Sequence, residues 1–113
     1  MQIGKIISLS MKYDRFKDPY HIKWAKSVKE RDSFICQLCG ESGGILHSHH
    51  MNSWDFFEKE RFDIDNGVTL CEGCHNRFHS IYGHGRNTKY QFNEYRELYN
   101  KIRKIANKEE DEY

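Results

Sequence analysis

The sequence predicts an α+β fold: a small core of short strands and one helix, held by a structural zinc site and flanked by N- and C-terminal helices. Three observations point there. Two Cys-x-x-Cys pairs, Cys36/Cys39 and Cys71/Cys74, bracket the middle of the chain. Short apolar runs bounded by Gly and Asn lie at and between them, and helical periodicity appears on both sides. The 113 residues hold no Pro/Gly/Ser-rich divider, so one domain is expected over 1–113. A domain of this size buries a limited core, and metal crosslinks are a common supplement to it.

Taken in order, Asp18-Pro19 reads as a helix start, with Asp as the cap and Pro in the first helical position. That helix should run to about Asp32 and bury Trp24, Ala25 and Val28. FICQLCG follows as a short strand ending in a Cys-x-x-Cys turn closed by Gly40. ILHSHH suggests a second strand, and MNSWDFFEKERFDID a long connection with a helical turn. Asn66-Gly67 is a turn signal leading into VTLC. From about Cys74 the pattern is helical through Phe78 and Ile81, until Gly83 and Gly85 end it. The last helix, about 88–107, opens on the capping-box pattern Thr88-x-x-Gln91. Its stripe of Phe92, Tyr95, Leu98, Tyr99, Ile102 and Ile105 reads as core packing, with a partner surface as the alternative. The last five residues read as disordered.

No apolar run approaches the ~18 residues of a membrane span, and the opening MQIGKIISLSMKYDR is too polar for a secretory signal. An intracellular protein with reduced thiols is therefore expected, its cysteines serving as ligands rather than disulfides. The net charge of +1 hides a pattern. Residues 1–35 carry eight Lys/Arg against four Asp/Glu, residues 36–80 three against seven, and residues 81–113 seven against six. Bound divalent ions would offset the acidic middle, and the basic flanks could hold phosphates. Solvated helix faces would look the same from charge alone.

Cys36, Cys39, Cys71 and Cys74 give four thiolates in two knuckles, a set suited to tetrahedral zinc; buried free thiols or a redox pair are the alternatives. His75 and His79 then need another role. Four residues apart on a helix they share a face, roughly 6 Å between Cβ atoms. Cys74 and His75 are neighbours turned by about 100° around the same helix, so one helix start can serve zinc on one side and a second ion on the other. A finger built from Cys36, Cys39, His75 and His79 would need a 35-residue spacer, where roughly 12–15 is usual, and would strand two cysteines. Two sites are the better answer, although His75 in place of a cysteine at the zinc is conceivable. His49 or His50 offers the third ligand of the second site. Strand neighbours point to opposite faces, so one can coordinate while the other reaches substrate. His47 shares His49's side, as a neighbour of the metal or a surface residue.

These residues resemble a known pattern. His49-His50, Asn66, His75 and His79, with the two cysteine pairs, resemble the HNH endonuclease motif in its zinc-stapled form, a ββα-metal, treble-clef-like core over about 33–82. The resemblance implies His50 as general base toward water at the scissile phosphate, and Asn66 as the residue that orients it. Asn66 before Gly67 would also serve as a plain turn residue. His49, His75 and His79 would hold one catalytic divalent ion (Mg²⁺, Mn²⁺, Ni²⁺ or Zn²⁺). It further implies hydrolysis of DNA to 5′-phosphate and 3′-hydroxyl ends, in a phage or bacterial setting. Many relatives have Asp before the catalytic histidine and a Pro/Gly-rich loop after it. Here His49 and Met51-Asn52-Ser53-Trp54 stand there, so loop contacts to substrate do not carry over.

The competing expectation is a non-catalytic zinc-knuckle DNA-binding module, which has no need of His49, His50, Asn66 and His79. A protein-interaction zinc domain using the last helix is a third. One active site cuts one strand at a time, so double-strand cleavage would require pairing of two chains or sequential cuts; a homodimer and a larger nuclease or packaging partner are the candidate assemblies.

Overall fold

The computed structural model describes residues 13–112, with no account of the side chains of 109–112. Residues 1–12, which hold most of the N-terminal extension and of the stretch weighed as a signal, lie outside the described residues, as does Tyr113. Helix α1 (Pro19–Arg31) begins as its sequence dictates: the Asp18 carboxylate accepts from the Tyr20 amide and Pro19 takes the first position. Trp24 and Val28 are buried on its inner face. Ala25 is only half-buried, and His21 is the third buried residue of that face.

Strands β1 (Leu46–His50) and β2 (Gly67–Cys71) pair antiparallel, with His49 opposite Val68 and His50 opposite Gly67. Helix α2 (Glu72–Tyr82) follows β2 directly and stops at Gly83, whose φ of 77° suits a residue without a side chain. Helix α3 (Lys89–Glu112) closes the chain. Its capping box is reciprocal: the Gln91 amide donates to Thr88 Oγ1 and the Thr88 amide to Gln91 Oε1, both at 3.1 Å. The described residues hold a two-stranded sheet and three α-helices, which is the expected α+β class, a ββα core with a helix on either side.

FICQLCG departs from expectation. It forms turns held by a single bridge between Ile35 and Ser42, with Ser33 and Phe34 both at a φ of 56°. Two left-handed residues in succession break an extended strand before it starts. Gly67 does more than turn the chain. A single helical turn, Ile64–Asn66, leads into β2 there as the turn signal has it, but a Cβ on Gly67 would clash with Val28 Cγ2 and sit 2.7 Å from the Trp24 ring. The glycine lets α1 lie directly on the sheet. Arg31 fastens the contact, donating to the Ile64 and Gly67 carbonyls at 2.7 Å each, while Asp32 accepts from the Thr69 amide.

The core joins Leu38, Met51, Val68, Leu70 and Phe78 to Phe92 and Tyr95 of α3. The α3 stripe therefore packs only in its first half. Leu98, Ile102 and Ile105 are exposed, because the sheet and α2 end before the helix does. α3 continues five residues past its expected end at 107, through four of the residues read as disordered. No helix of the described residues is long and apolar enough to cross a membrane.

Candidate functional site

The four cysteines meet where two turns converge. The Gly40 amide donates to the Cys36 carbonyl, closing the first knuckle, and Cys71 caps α2 by accepting from the Cys74 amide at its Sγ. All four sulfurs lie within 4.8 Å of one another, and Cys39 and Cys71 are 3.7 Å apart. A tetrahedron with bonds of ~2.3 Å has edges of about 3.8 Å, so the spacing fits zinc. The thiols also oppose one another's ionisation. Burial raises Cys36, but backbone amides around it outweigh that and draw it down to about 7. Burial and neighbouring sulfurs push Cys74 well above the ordinary thiol range. A divalent cation is what would let all four deprotonate together. The four can hold a metal ion such as zinc.

On the other side of α2 lies a second group. His49, His75 and His79 bring one ring nitrogen each within 4.8 Å of one another. The β1 pleat sends His47 and His49 toward α2 and His50 toward α1: His49 packs edge-on against His75, His79 and Phe78, whereas His50 stacks on Trp24. His79 Nδ1 is 3.0 Å from the Gly83 carbonyl. A carbonyl only accepts, so Nδ1 carries the proton and the Nε2 lone pair is left facing His75 Nε2 at 3.1 Å. His49 Nε2 is buried with no partner. Such an orphan acceptor beside two further imidazoles is what a cation would satisfy. Burial and the neighbouring rings push His49 down to about 2 and His75 down to about 4, so both imidazoles are neutral at physiological pH and each keeps one nitrogen able to ligate. His47 lies outside this set; its ring stacks on His75 at 4.6 Å.

His50 Nε2 is 2.9 Å from the Arg61 carbonyl, to which it must donate, so Nδ1 keeps its lone pair. Burial holds this imidazole down to about 4, partly offset by that hydrogen bond. Asn66 is buried in the loop that follows β1. Its Oδ1 accepts from the Asn52 amide, and its Nδ2 donates to the carbonyls of Asn52 and Glu60. No hydrogen bond joins its side chain to His50; it fixes the chain two residues beyond it.

A cavity of about 470 Å³ joins these parts, and all seven histidines line it. His21 and His84 gave no motif signal. His21 became part of the wall because 21, 25 and 29 fall one turn apart on α1. His84 stacks on His79 at 4.3 Å, carried there by a loop in which Gly83 and Gly85 both have positive φ. Arg15 and Lys29 add positive charge to the α1 side. Trp54 also lines the cavity, its ring covered by the Arg61 guanidinium at 4.5 Å.

Comparison with known proteins adds two findings. The family model described as HNH endonuclease matches residues 36–80. Anaredoxin of Nostoc sp. strain PCC 7120 is 38% identical over 64 residues, which cover 56% of this chain and 82% of that relative. No solved structure matches the chain.

Proposed function

Because the chain belongs to the HNH endonuclease family, we propose that it is a metal-dependent nuclease that hydrolyses DNA phosphodiester bonds to 5′-phosphate and 3′-hydroxyl ends. The observation that carries this reading is the division of labour on β1. His49 joins His75 and His79 in a three-nitrogen cluster, while the next residue, His50, lines the same cavity with Nδ1 free.

In this reading Cys36, Cys39, Cys71 and Cys74 hold zinc for structure, and His49, His75 and His79 hold one divalent ion, Mg²⁺, Mn²⁺, Ni²⁺ or Zn²⁺. Such an ion, when bound, supplies Lewis-acid stabilisation of charge on the phosphate and the departing 3′ oxygen. The rest falls to the chain's own groups. His50 takes the proton of the attacking water at Nδ1. The Trp24 ring and the Arg61 carbonyl hold that imidazole in one orientation and one tautomer. Asn66 is a positioning residue that ties Asn52 and Glu60 together and so keeps the loop after His50 in place. The Gly83 carbonyl holds His79 with Nε2 toward His75, where it would be able to ligate a bound ion. Arg15 and Lys29 line the cavity and favour an anionic substrate.

The test is cleavage of supercoiled plasmid by metal-defined protein with Mg²⁺, Mn²⁺, Ni²⁺ or EDTA, beside His50→Ala, with bound zinc counted in both. Nicking by wild type together with a zinc-loaded, inactive His50→Ala supports the proposal. Protein that holds zinc, binds DNA and leaves both the plasmid and a single strand uncut in every metal is instead a zinc-knuckle DNA-binding module.

A further inference from the structure

We infer that the cleft takes an unpaired nucleic-acid strand in preference to a duplex, an inference that rests on the nuclease reading of the same site. Three guanidinium–aromatic pairs lie at or beside the residues that line the histidine cavity. Arg15 lies 5.0 Å from the centre of the Phe16 ring, Arg61 4.5 Å from Trp54, and Arg86 5.5 Å from Phe56. Phe16 and Phe56 are 67% and 60% exposed. Phe16 and Trp54 line the cavity that also holds His49, His75 and His79, and Phe56 and Arg86 each adjoin a lining residue, Asp55 and Gly85.

The rings are set in place by their own backbones. The Phe16 amide donates to the Asp14 carboxylate at 3.0 Å, and Arg61 Nε donates to the Trp54 carbonyl at 2.8 Å. The Asp55 carboxylate accepts from the Arg86 amide at 3.0 Å, across a loop in which Gly85 and Arg86 have φ of 92° and 50°. Aromatic faces interleaved with arginine at a phosphate-cleaving centre have little use on a duplex. Paired bases stack on one another, and a duplex presents phosphates and groove edges. In an unpaired strand every base has a free face, and stacking on an aromatic side chain contributes to binding whatever the sequence. Positive charge in the same cavity suits the backbone of that strand: Arg15 and Lys29 line it together with His21 and the small Ala25. The scissile phosphate would lie at the histidine cluster, with the adjoining bases on Phe16 and Phe56.

The test compares a fluorescein-labelled single strand with the duplex of the same sequence, bound to zinc-loaded, full-length His50→Ala, which binds without cutting. Cleavage of both by wild type is measured separately. The single strand is expected to bind about tenfold more tightly. Phe16→Ala with Phe56→Ala should lose about that factor on the single strand alone while retaining zinc and helical circular dichroism. Phe56→Ala by itself should lose part of it. Equal or tighter binding of duplex, or phenylalanine variants without effect on the single strand, overturns the inference, and it leaves the nuclease reading standing if wild type still cuts. Wild type that cuts neither substrate in any metal overturns the nuclease reading, whatever the binding. Protein that binds neither overturns the inference, and the rings are then better read as a protein-docking surface.

Discussion

The imidazole of His50 lies flat on the indole of Trp24, ring centres 3.7 Å apart and planes 13° from parallel. Trp24 is itself fixed, because its Nε1 donates to the Asp63 carbonyl at 2.7 Å. One helix residue thus supports the proposed base and the loop behind it. Trp24→Phe keeps a ring under His50 and removes the hydrogen bond, at an expected cost of about 1 kcal/mol and a modest loss of cleavage. Trp24→Ala removes the stack and leaves a cavity, which costs about 3–5 kcal/mol. Single-turnover cleavage, corrected for the folded fraction from urea unfolding, should then fall further for Trp24→Ala than for Trp24→Phe. Equal corrected rates would remove Trp24 from any positioning role.

Gly67 makes a prediction about packing. Its φ of −104° is open to any residue, so the need for glycine is steric. A methyl group would press on Val28 and Trp24, both buried. Gly67→Ala is therefore expected to lower stability by roughly 1–3 kcal/mol through overpacking. Val28→Ala in the same chain should return part of the loss by making room. A Gly67→Ala protein that melts with wild type would mean that α1 can retreat from the sheet at no cost.

Much of this site was legible because its chemistry depends on spacing. Cys-x-x-Cys turns, histidines four apart and adjacent histidines on a strand each carry their geometry in the sequence, and those residues do come together. The capping box at Thr88 and the Asp18-Pro19 helix start were local signals that nothing tertiary overrode. What escaped depended on contacts between distant segments. His21 and His84 reach the cavity only because α1 docks on β1 and because a glycine loop turns back after α2. Gly67 looked like turn chemistry, since no pattern near it announces Trp24 and Val28. The outer half of the α3 stripe has helical period, but period cannot say where the rest of the molecule ends.

Metal removal tests the cysteine centre apart from catalysis. Its sulfurs tie the first knuckle to the start of α2, and three of the four cysteines are buried. Cys74→Ser, or mild chelation of wild type, should release one zinc per chain and broaden or abolish the thermal transition. Adding zinc back to the chelated wild type should restore it. Circular dichroism read beside a zinc count distinguishes the outcomes. A variant that loses its zinc yet melts as wild type would show that the knuckles contribute nothing to folding.

The buried and half-buried histidines are expected to limit stability in acid. His21, His49, His50, His75 and His79 are all held below the ordinary histidine range, with burial the first cause in each. At neutral pH and above, these rings are neutral both folded and unfolded, and stability does not depend on them. Below about 6.5 the unfolded chain takes up protons that the folded chain refuses. Stability should therefore fall as pH drops from about 6.5 toward 4, where His50 and His75 begin to protonate in the folded state as well. His21 isolates one contribution, because it lies off the metal cluster. It packs on Phe16, Trp24, His50 and Trp54, with Arg15 and Lys29 opposing its charge and Asp18 favouring it. His21→Leu keeps an apolar side chain in that space, and its melting temperature should fall less steeply over the same interval. Parallel curves for the two proteins would mean that His21 titrates alike in both states and that its burial adds nothing to acid sensitivity.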